Sequence, residues 1–448
     1  MATADHLAQA SSNCLEVLRQ WLLDNPKVPR AALIEDVIGT LSVGLWDCAD
    51  SFPEEMLASP EIGGRFWSGR VLRIPSDDES PAANDTGSLG EELMKYAQPV
   101  QGTNGRLWIA HRFRSRGHWF SRPQSPPWTV NDGPGIIVFY SYKGGTGRST
   151  TLASMAIQLA QIGNRLTLID ADLDAPGIAS SFLPDGSGAV EIGVVDYLLD
   201  SMTAKNLNPT PYSWVCRRKE LTGDGEIVVI PAGKLDAHYP ARLARLSFDP
   251  EPGSSQEAFI GLLQQVRSVF TPDWILVDAR TGFTDMAAMT LAGLGHLHVL
   301  CGTGSKQTWQ GLNIVVDHLG RQRLQLRMPQ ADCLLVHTMV PREEVGNALH
   351  EAFVESAWDC FSENYYADDA DALEMGLFDL AWTIGDAEQN SSAPHQPFLV
   401  RYDSGLAAYS DLALVADRLT HEPGLVKLME RIQDWLIEQR VPTSGDAP

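Results

Sequence analysis

The sequence predicts an α/β protein built on a mainly parallel, doubly wound sheet, preceded by a smaller, largely helical N-terminal domain. Three observations carry that expectation. From Gly135 onward, short and nearly all-apolar runs alternate with stretches of helical periodicity, the pattern of parallel strands covered on both faces. One strand-to-helix junction, residues 140–151 (YSYKGGTGRSTT), is glycine-rich, as anion-binding turns are. Before residue 50, apolar side chains recur at helical spacing: Leu15, Leu18, Trp21 and Leu22, then Leu33, Val37, Ile38 and Leu41.

Along the chain, residues 5–50 read as helical and residues 75–88, rich in Ser, Asp, Pro and Asn, as a loop or linker. A β-like segment, 106–120, leads into a proline-rich joint at 123–134, where a domain boundary is expected. Strands are expected at 136–140, 166–170, 227–231, 274–278, 296–301 and 332–338, with helices at 149–161, 256–270 and 308–324 between them. The division expected is an N-terminal helical or mixed module with a short β-hairpin at 1–130, an α/β domain at 131–410, and C-terminal helices and a tail at 411–448.

The bulk numbers exclude several classes. With 448 residues, 44% of them hydrophobic, the chain can hold two or three cored domains. A net charge of −23 repels nucleic acid and anionic lipid, so contact with either needs a local basic patch. The six cysteines are scattered without metal-type spacing, which points to reduced thiols and a cytoplasmic setting. The first residues lack a basic-then-apolar signal layout. The longest apolar stretch, 286–301, is broken by Gly293, Gly295, His296 and His298, and reads as helix then strand, not as a membrane span.

The glycine-rich junction departs from the standard phosphate loop at two positions. Tyr142 stands where that pattern has its first Gly, and Arg148 where it has Lys. Two further strand ends carry carboxylates. Residues 169–177 read IDADLDAPG, placing Asp170, Asp172 and Asp174 at alternate positions. Beside a triphosphate these repel it, and a bound Mg²⁺ reconciles the charges. Residues 273–282 read DWILVDARTG, an apolar strand closed by Asp278 and followed by a glycine-containing turn. Arg280 in that turn has two roles open to it: a charge on the leaving phosphate, or an ion pair with a nearby carboxylate, which an acidic turn favours.

With KGGTGRST, DADLDAPG and WILVDARTG in this order, residues 135–405 resemble the deviant-Walker P-loop ATPases that include the MinD and ParA proteins. The Arg-bearing loop and the D-x-R-T-G turn look most like the KGGVGR-variant ATPases of bacterial signalling and conflict systems, antiviral defence among them. The resemblance implies a site that binds ATP and Mg²⁺. Lys143 is the signature lysine that reaches across a nucleotide-sandwich homodimer. Gly144, Gly145, Thr146 and Gly147 wrap the β-phosphate, and Arg148, Ser149 and Thr150 complete the nucleotide contacts. Ser149 serves Mg²⁺ with Asp170 and Asp278 behind it, and Asp172 orients the attacking water. Pro341, in the 338–342 segment, sits where the family places base recognition. Lys143, Asp172 and Arg148 are therefore the catalytic candidates. Arg148 keeps a positive charge but exchanges a compact ammonium for a planar fork, which suits slow turnover and a switch. The implied partner is a protein encoded nearby. The alternatives are a catalytically silent nucleotide-binding scaffold, or a partition or positioning ATPase of ParA or MinD type.

Other signals carry less. Arg106, Arg112, Arg114, Arg116 and Arg122 are interleaved with Trp108, Phe113, Trp119 and Phe120, which suits single-stranded nucleic acid. The alternation of Leu107, Ile109, His111 and Phe113, with a turn at 115–117, reads instead as a hairpin without ligand. The last helix, 424–440, has an apolar stripe but a charge-balanced polar face, which favours docking over a membrane anchor. His337, on an apolar strand, reads as packed.

Overall fold

The computed structural model describes residues 6–36, 38–48, 52–74, 93–94, 97–111, 119, 123–183, 190–204, 206–246, 248, 254–370, 372, 381–407 and 411–440. The chain divides into two compact units, Met1–Arg122 and Pro123–Pro448.

The first unit opens with helix α1 (Leu7–Asp24), which buries Cys14, Leu18, Trp21 and Leu22 on one stripe. Five strands follow: β1 (Arg30–Glu35), β2 (Leu41–Trp46), β3 (Trp67–Ile74), β4 (Ala97–Pro99) and β5 (Leu107–His111), in the order β3-β2-β1-β5-β4. The helical periodicity expected through residue 50 thus ends at Asp24. Pro26 and Pro29 lie directly beyond, and proline neither donates to a helix nor fits its interior. Ala31, Ala32, Leu33 and Ile34 are all buried because apolar clusters lie on both faces of the sheet, so β1 lacks the alternation that marks a half-exposed strand.

Arg106 is structural. Its guanidinium donates to the carbonyls of Leu22, Asn25 and Val28, gathering acceptors left over where α1 ends. Of the proposed basic patch and hairpin, residues 112–118 and 120–122 lie outside the described residues. The described strand β5 pairs with β1 in parallel and β4 antiparallel.

The second unit is the doubly wound α/β domain. Its strands are β6 (Gly135–Tyr140), β7 (Arg165–Ala171), β8 (Trp214–Cys216), β9 (Glu226–Ile230), β10 (Trp274–Ala279), β11 (Leu297–Gly302), β12 (Cys333–Val340) and β13 (Phe398–Arg401). They form one sheet in the order β13-β12-β11-β6-β10-β7-β9-β8. Neighbours are parallel except β8, which is antiparallel to β9. Every residue of β6, β10 and β11 is buried, which is why these strands read as unbroken apolar runs. Helix α2 (Arg148–Gln161) follows β6 and lies against the sheet through Leu152, Met155, Ala156 and Leu159.

The C-terminal helix α3 (Pro423–Arg440) docks on the same core through Leu425, Leu428, Ile432 and Trp435. Glu422 accepts the Leu425 N–H at 2.9 Å, and Trp435 Nε1 donates to Asp332 at 2.8 Å. Among the described residues no helix is long and apolar enough to cross a membrane. His337 is packed as expected, stacked on Phe353 at 3.9 Å, and burial pushes its pKa down to about 3.

Trp435 fills the seam between α3 and the sheet and is 4% exposed. Trp435→Ala should therefore cost about 3–5 kcal/mol and lower the unfolding midpoint in guanidinium titration of the full chain. A loss below about 1 kcal/mol would mean that α3 is not docked as described.

Candidate functional site

The site lies at the carboxyl ends of three adjacent strands, where parallel sheets present ligand-binding crevices. β6 stops at Tyr140, and residues 141–147 form a loop that enters α2. Gly147 precedes the first helical turn at φ 81°, a left-handed conformation that suits glycine. Ser141 Oγ and Thr146 Oγ1 both donate to the Lys143 carbonyl, at 2.9 and 3.2 Å, which stiffens the loop. Gly144 and Gly145 are exposed and open to incoming groups. The free backbone N–H groups of a helix start and its dipole favour an anion here.

Tyr142 leans away from this cradle. Its ring lies 5.1 Å from that of Phe283 and rests on Gly311 of helix 306–319, where a Cβ would come within 2.1 Å of the ring. The missing glycine at 142 therefore changes the flank of the loop. Only a residue without a side chain at 311 admits the tyrosine.

Arg148 turns inward instead of toward the loop. Its Nε donates to Asp278 Oδ1 at 2.6 Å and its Nη2 to Asp172 Oδ2 at 2.8 Å, while the side chain is only 7% exposed. Burial works against its charge, yet Asp278 and Asp172 raise its pKa. The third arm, Nη1, is buried without a hydrogen-bond partner. Ser149 Oγ donates to the other oxygen of Asp278 at 2.8 Å. Lys143 is half-buried in the loop, and Thr150 lines the neighbouring cavity.

β7 and β10 pair in register with Asp170 opposite Asp278, so the two carboxylates are neighbours by strand geometry. Asp170 faces its own chain: Oδ1 accepts the Asp172 N–H at 3.2 Å, and Oδ2 accepts Gly177 and Ile178 at 3.0 and 3.1 Å. Burial and then the charge of Asp278 push its pKa up to about 8. Asp278, buried beside it, is also raised, first by burial, with Arg148 and Ser149 opposing. Asp172 is taken by two arginines, since Arg280 Nη1 donates to its Oδ1 at 2.8 Å and Arg280 Nε pairs with Asp174 at 3.3 Å. Of the two roles open to Arg280, the ion pair is the one the geometry contains.

A cavity of about 190 Å³ adjoins the loop, lined by Gly145, Gly147, Thr150 and Thr151 on one side and by Thr338, Met339 and residues 400–403 on the other. Pro341 lines a wider cavity of about 600 Å³ with Arg342 and Arg418, and its carbonyl accepts Arg401 Nη1 at 2.6 Å. The two cavities share Met339, Tyr402 and Asp403. Residues 400–403 and Leu425, which reaches the first cavity from α3, come to it from far along the chain.

Among the described residues no group of three or more His, Cys, Asp or Glu side chains could hold a metal ion. Ser149 and Asp278 fit a cation whose remaining ligands come from phosphates and water, as Mg²⁺ sites beside nucleotides are built. Asp170, opposite Asp278 in the sheet, has both oxygens bonded to backbone N–H groups.

Residues 137–359 match the family model for the CobQ/CobB/MinD/ParA nucleotide binding domain. An iron-sulfur cluster carrier protein of Aquifex aeolicus is 40% identical over 62 residues, which is 13% of this chain and 17% of that protein. The tyrosine-protein kinase CpsD of Streptococcus agalactiae is 25% identical over 143 residues, 32% of this chain and 51% of the relative. The chain thus matches about half or less of the length of these relatives. Among solved structures, the septum site-determining protein MinD of Pyrococcus horikoshii, complexed with Mg-ADP, covers 68% of this chain and 98% of its own at 15% identity and a TM-score of 0.41. The ParA of pNOB8 covers the same shares at 14% identity and a TM-score of 0.40.

The raised pKa of Asp170 has a signed consequence for stability. A carboxyl with an ordinary value near 3.8 and a folded value of about 8 stabilises the fold while protonated. That contribution is complete below about pH 4 and is lost as pH rises through about 8. Buried His298, with its pKa lowered to about 4 by burial, works in the opposite sense, so the comparison of two proteins isolates the carboxyl. Between about pH 5 and 8 the unfolding midpoint of the wild-type chain should fall relative to that of Asp170→Asn. Parallel melting curves across that range would remove Asp170 as the titrating group.

Proposed function

We propose that this chain is a switch that binds ATP with Mg²⁺ and hydrolyses it slowly. The observation that carries the reading is the meeting of three elements at one point: a glycine loop at a helix start, a Ser149 hydroxyl bonded to Asp278 on the adjacent strand, and the unpartnered Nη1 of buried Arg148. Each supplies something a polyphosphate and its cation need.

In this reading the 144–147 loop and the N–H groups of Arg148 to Thr150 hold the β-phosphate. Arg148 Nη1 takes a phosphate oxygen, and Lys143 supplies a second positive charge, to its own nucleotide or across a homodimer. Ser149, with Asp278 behind it, would hold Mg²⁺, which when bound would offset the charge of the phosphates. The 190 Å³ cavity is smaller than the roughly 300 Å³ at which drug-sized pockets begin, so it suits the base while the phosphates lie on the open loop. Asp172 orients a water whose oxygen bonds to the γ-phosphorus. The bond from that phosphorus to the bridging oxygen breaks with its electron pair left on ADP, and the proton lost by water ends on the released phosphate. The output is a nucleotide-dependent conformation passed to a protein partner in a bacterial signalling or defence system.

A second reading, a silent nucleotide-binding scaffold, draws on Asp172, both of whose oxygens are engaged by guanidinium groups. Phosphate release separates the two: turnover that Asp172→Ala abolishes supports the enzyme, and bound nucleotide without turnover supports the scaffold. A partition or positioning role of ParA or MinD type is less compatible with the net charge of −23, and salt-dependent retention on DNA would restore it.

Titration calorimetry of the full chain should show ATP affinity that requires Mg²⁺. Lys143→Ala and Asp278→Asn should each weaken it by about tenfold or more, the scale of a lost charge-assisted contact. Absence of binding at every Mg²⁺ concentration would overturn the proposal.

A further inference from the structure

Resting on the ATPase reading above, we infer that Arg280 is the latch of this site: it holds the Asp172 carboxylate away from water, and its transfer to Asp174 lets turnover begin. Asp172 is 5% exposed, and its oxygens accept three hydrogen bonds: from Arg280 Nη1 at 2.8 Å, from the Ala175 N–H at 3.3 Å, and from Arg148 Nη2 at 2.8 Å. A carboxylate has about four acceptor sites, so little of this one is left to turn toward a water.

The two arginines differ in what their departure costs. Arg148 is 7% exposed and also serves Asp278, so moving it strips two buried carboxylates of their counter-charge, which is strongly unfavourable for buried pairs. Its unpartnered Nη1 offers a phosphate oxygen a place while Nε and Nη2 stay where they are. Arg148 is thus a fixed three-way connector, which a lysine, with one nitrogen, cannot reproduce.

Arg280 is less enclosed. It is 24% exposed and already reaches Asp174, itself 50% exposed, at 3.3 Å. Sliding fully onto Asp174 keeps the guanidinium paired and leaves Asp172 Oδ1 with the longer Ala175 N–H bond alone. Arg280 also belongs to the turn that touches the phosphate loop: Gly282 accepts a hydrogen bond from Tyr140 OH at 3.2 Å where β6 enters the loop, and the ring of Phe283 lies 5.1 Å from that of Tyr142 in it. A ligand that shifts the loop therefore has a physical route to the latch. Arg280 acts through Asp172 and is a positioning residue.

The test is steady-state phosphate release with ATP and Mg²⁺, alongside calorimetric ATP affinity, on the full chain. Arg280→Gln should raise kcat roughly fivefold or more while ATP affinity stays within about twofold, and Asp172→Asn in that background should abolish the gain. Arg280→Lys, which keeps a charge beside Asp172, should return kcat to the wild-type rate. Asp174→Asn removes the alternative partner and should lower kcat. This second variant changes an exposed residue, so it reports even if Arg280→Gln folds poorly. An Arg280→Gln protein that binds ATP but turns over at or below the wild-type rate overturns the inference. So does an unchanged or higher kcat in Asp174→Asn. A wild-type chain that fails to bind ATP overturns the nucleotide reading and this inference with it, whereas normal binding with either contrary rate overturns the latch alone.

Discussion

Asp172 and Asp278 lie buried at neighbouring strand ends with one guanidinium between them, and much of the site follows from that pairing. The parallel register of β7 and β10 sets Asp170 opposite Asp278, and two residues later the chain turns Asp172 into the same space. Three carboxylates in a buried crevice cannot all stay ionised without counter-charge. Arg148 and Arg280 supply part of it, and the raised pKa of Asp170 marks the remainder. A polyphosphate ligand, as proposed, would bring more negative charge and with it the need for a cation.

This explains why the arginine at 148 is more than a variant of the usual lysine. An ammonium is a compact point charge, whereas the guanidinium fork serves Asp278 with one nitrogen and Asp172 with another and still presents a third. The loop keeps the backbone geometry of an anion cradle, while the side chain that normally lies along the phosphates is built into the wall behind it. The tyrosine at 142 is a different kind of departure. It is accommodated by the glycine at 311, on a helix more than a hundred residues away, and it leaves the cradle open.

The doubly wound sheet was legible because its strands are buried on both faces and its helices are amphipathic. The expected strands at 136–140, 166–170 and 274–278 agree with the observed ones to within a residue or so. The short antiparallel β8 and the edge strand β13 were not foreseen, since three or four residues carry no period. In the first unit Leu33 and Leu41 matched a helical spacing, but they lie on the strands β1 and β2, beyond the prolines at 26 and 29 where α1 has already ended. Local pattern and tertiary placement disagreed there because a strand covered on both faces shows no alternation.

For the site, the sequence alone determined which residues could meet: a glycine loop after β6 and aspartates at the ends of β7 and β10 are consequences of chain order in a parallel sheet. It also supplied the composition of the cluster, three acids and two arginines. Only the tertiary structure decided how they divide their bonds. Asp170 turned to its own backbone, Asp172 was shared by two arginines, and Arg148 faced inward with one arm unpaired. Thr338, Arg401 and Leu425 were brought to the loop from distant segments. The reason is physical: hydrogen-bond partners in a buried cluster are chosen by distances of tenths of an ångström, which depend on every strand and helix that packs around it, and no local run of residues encodes them.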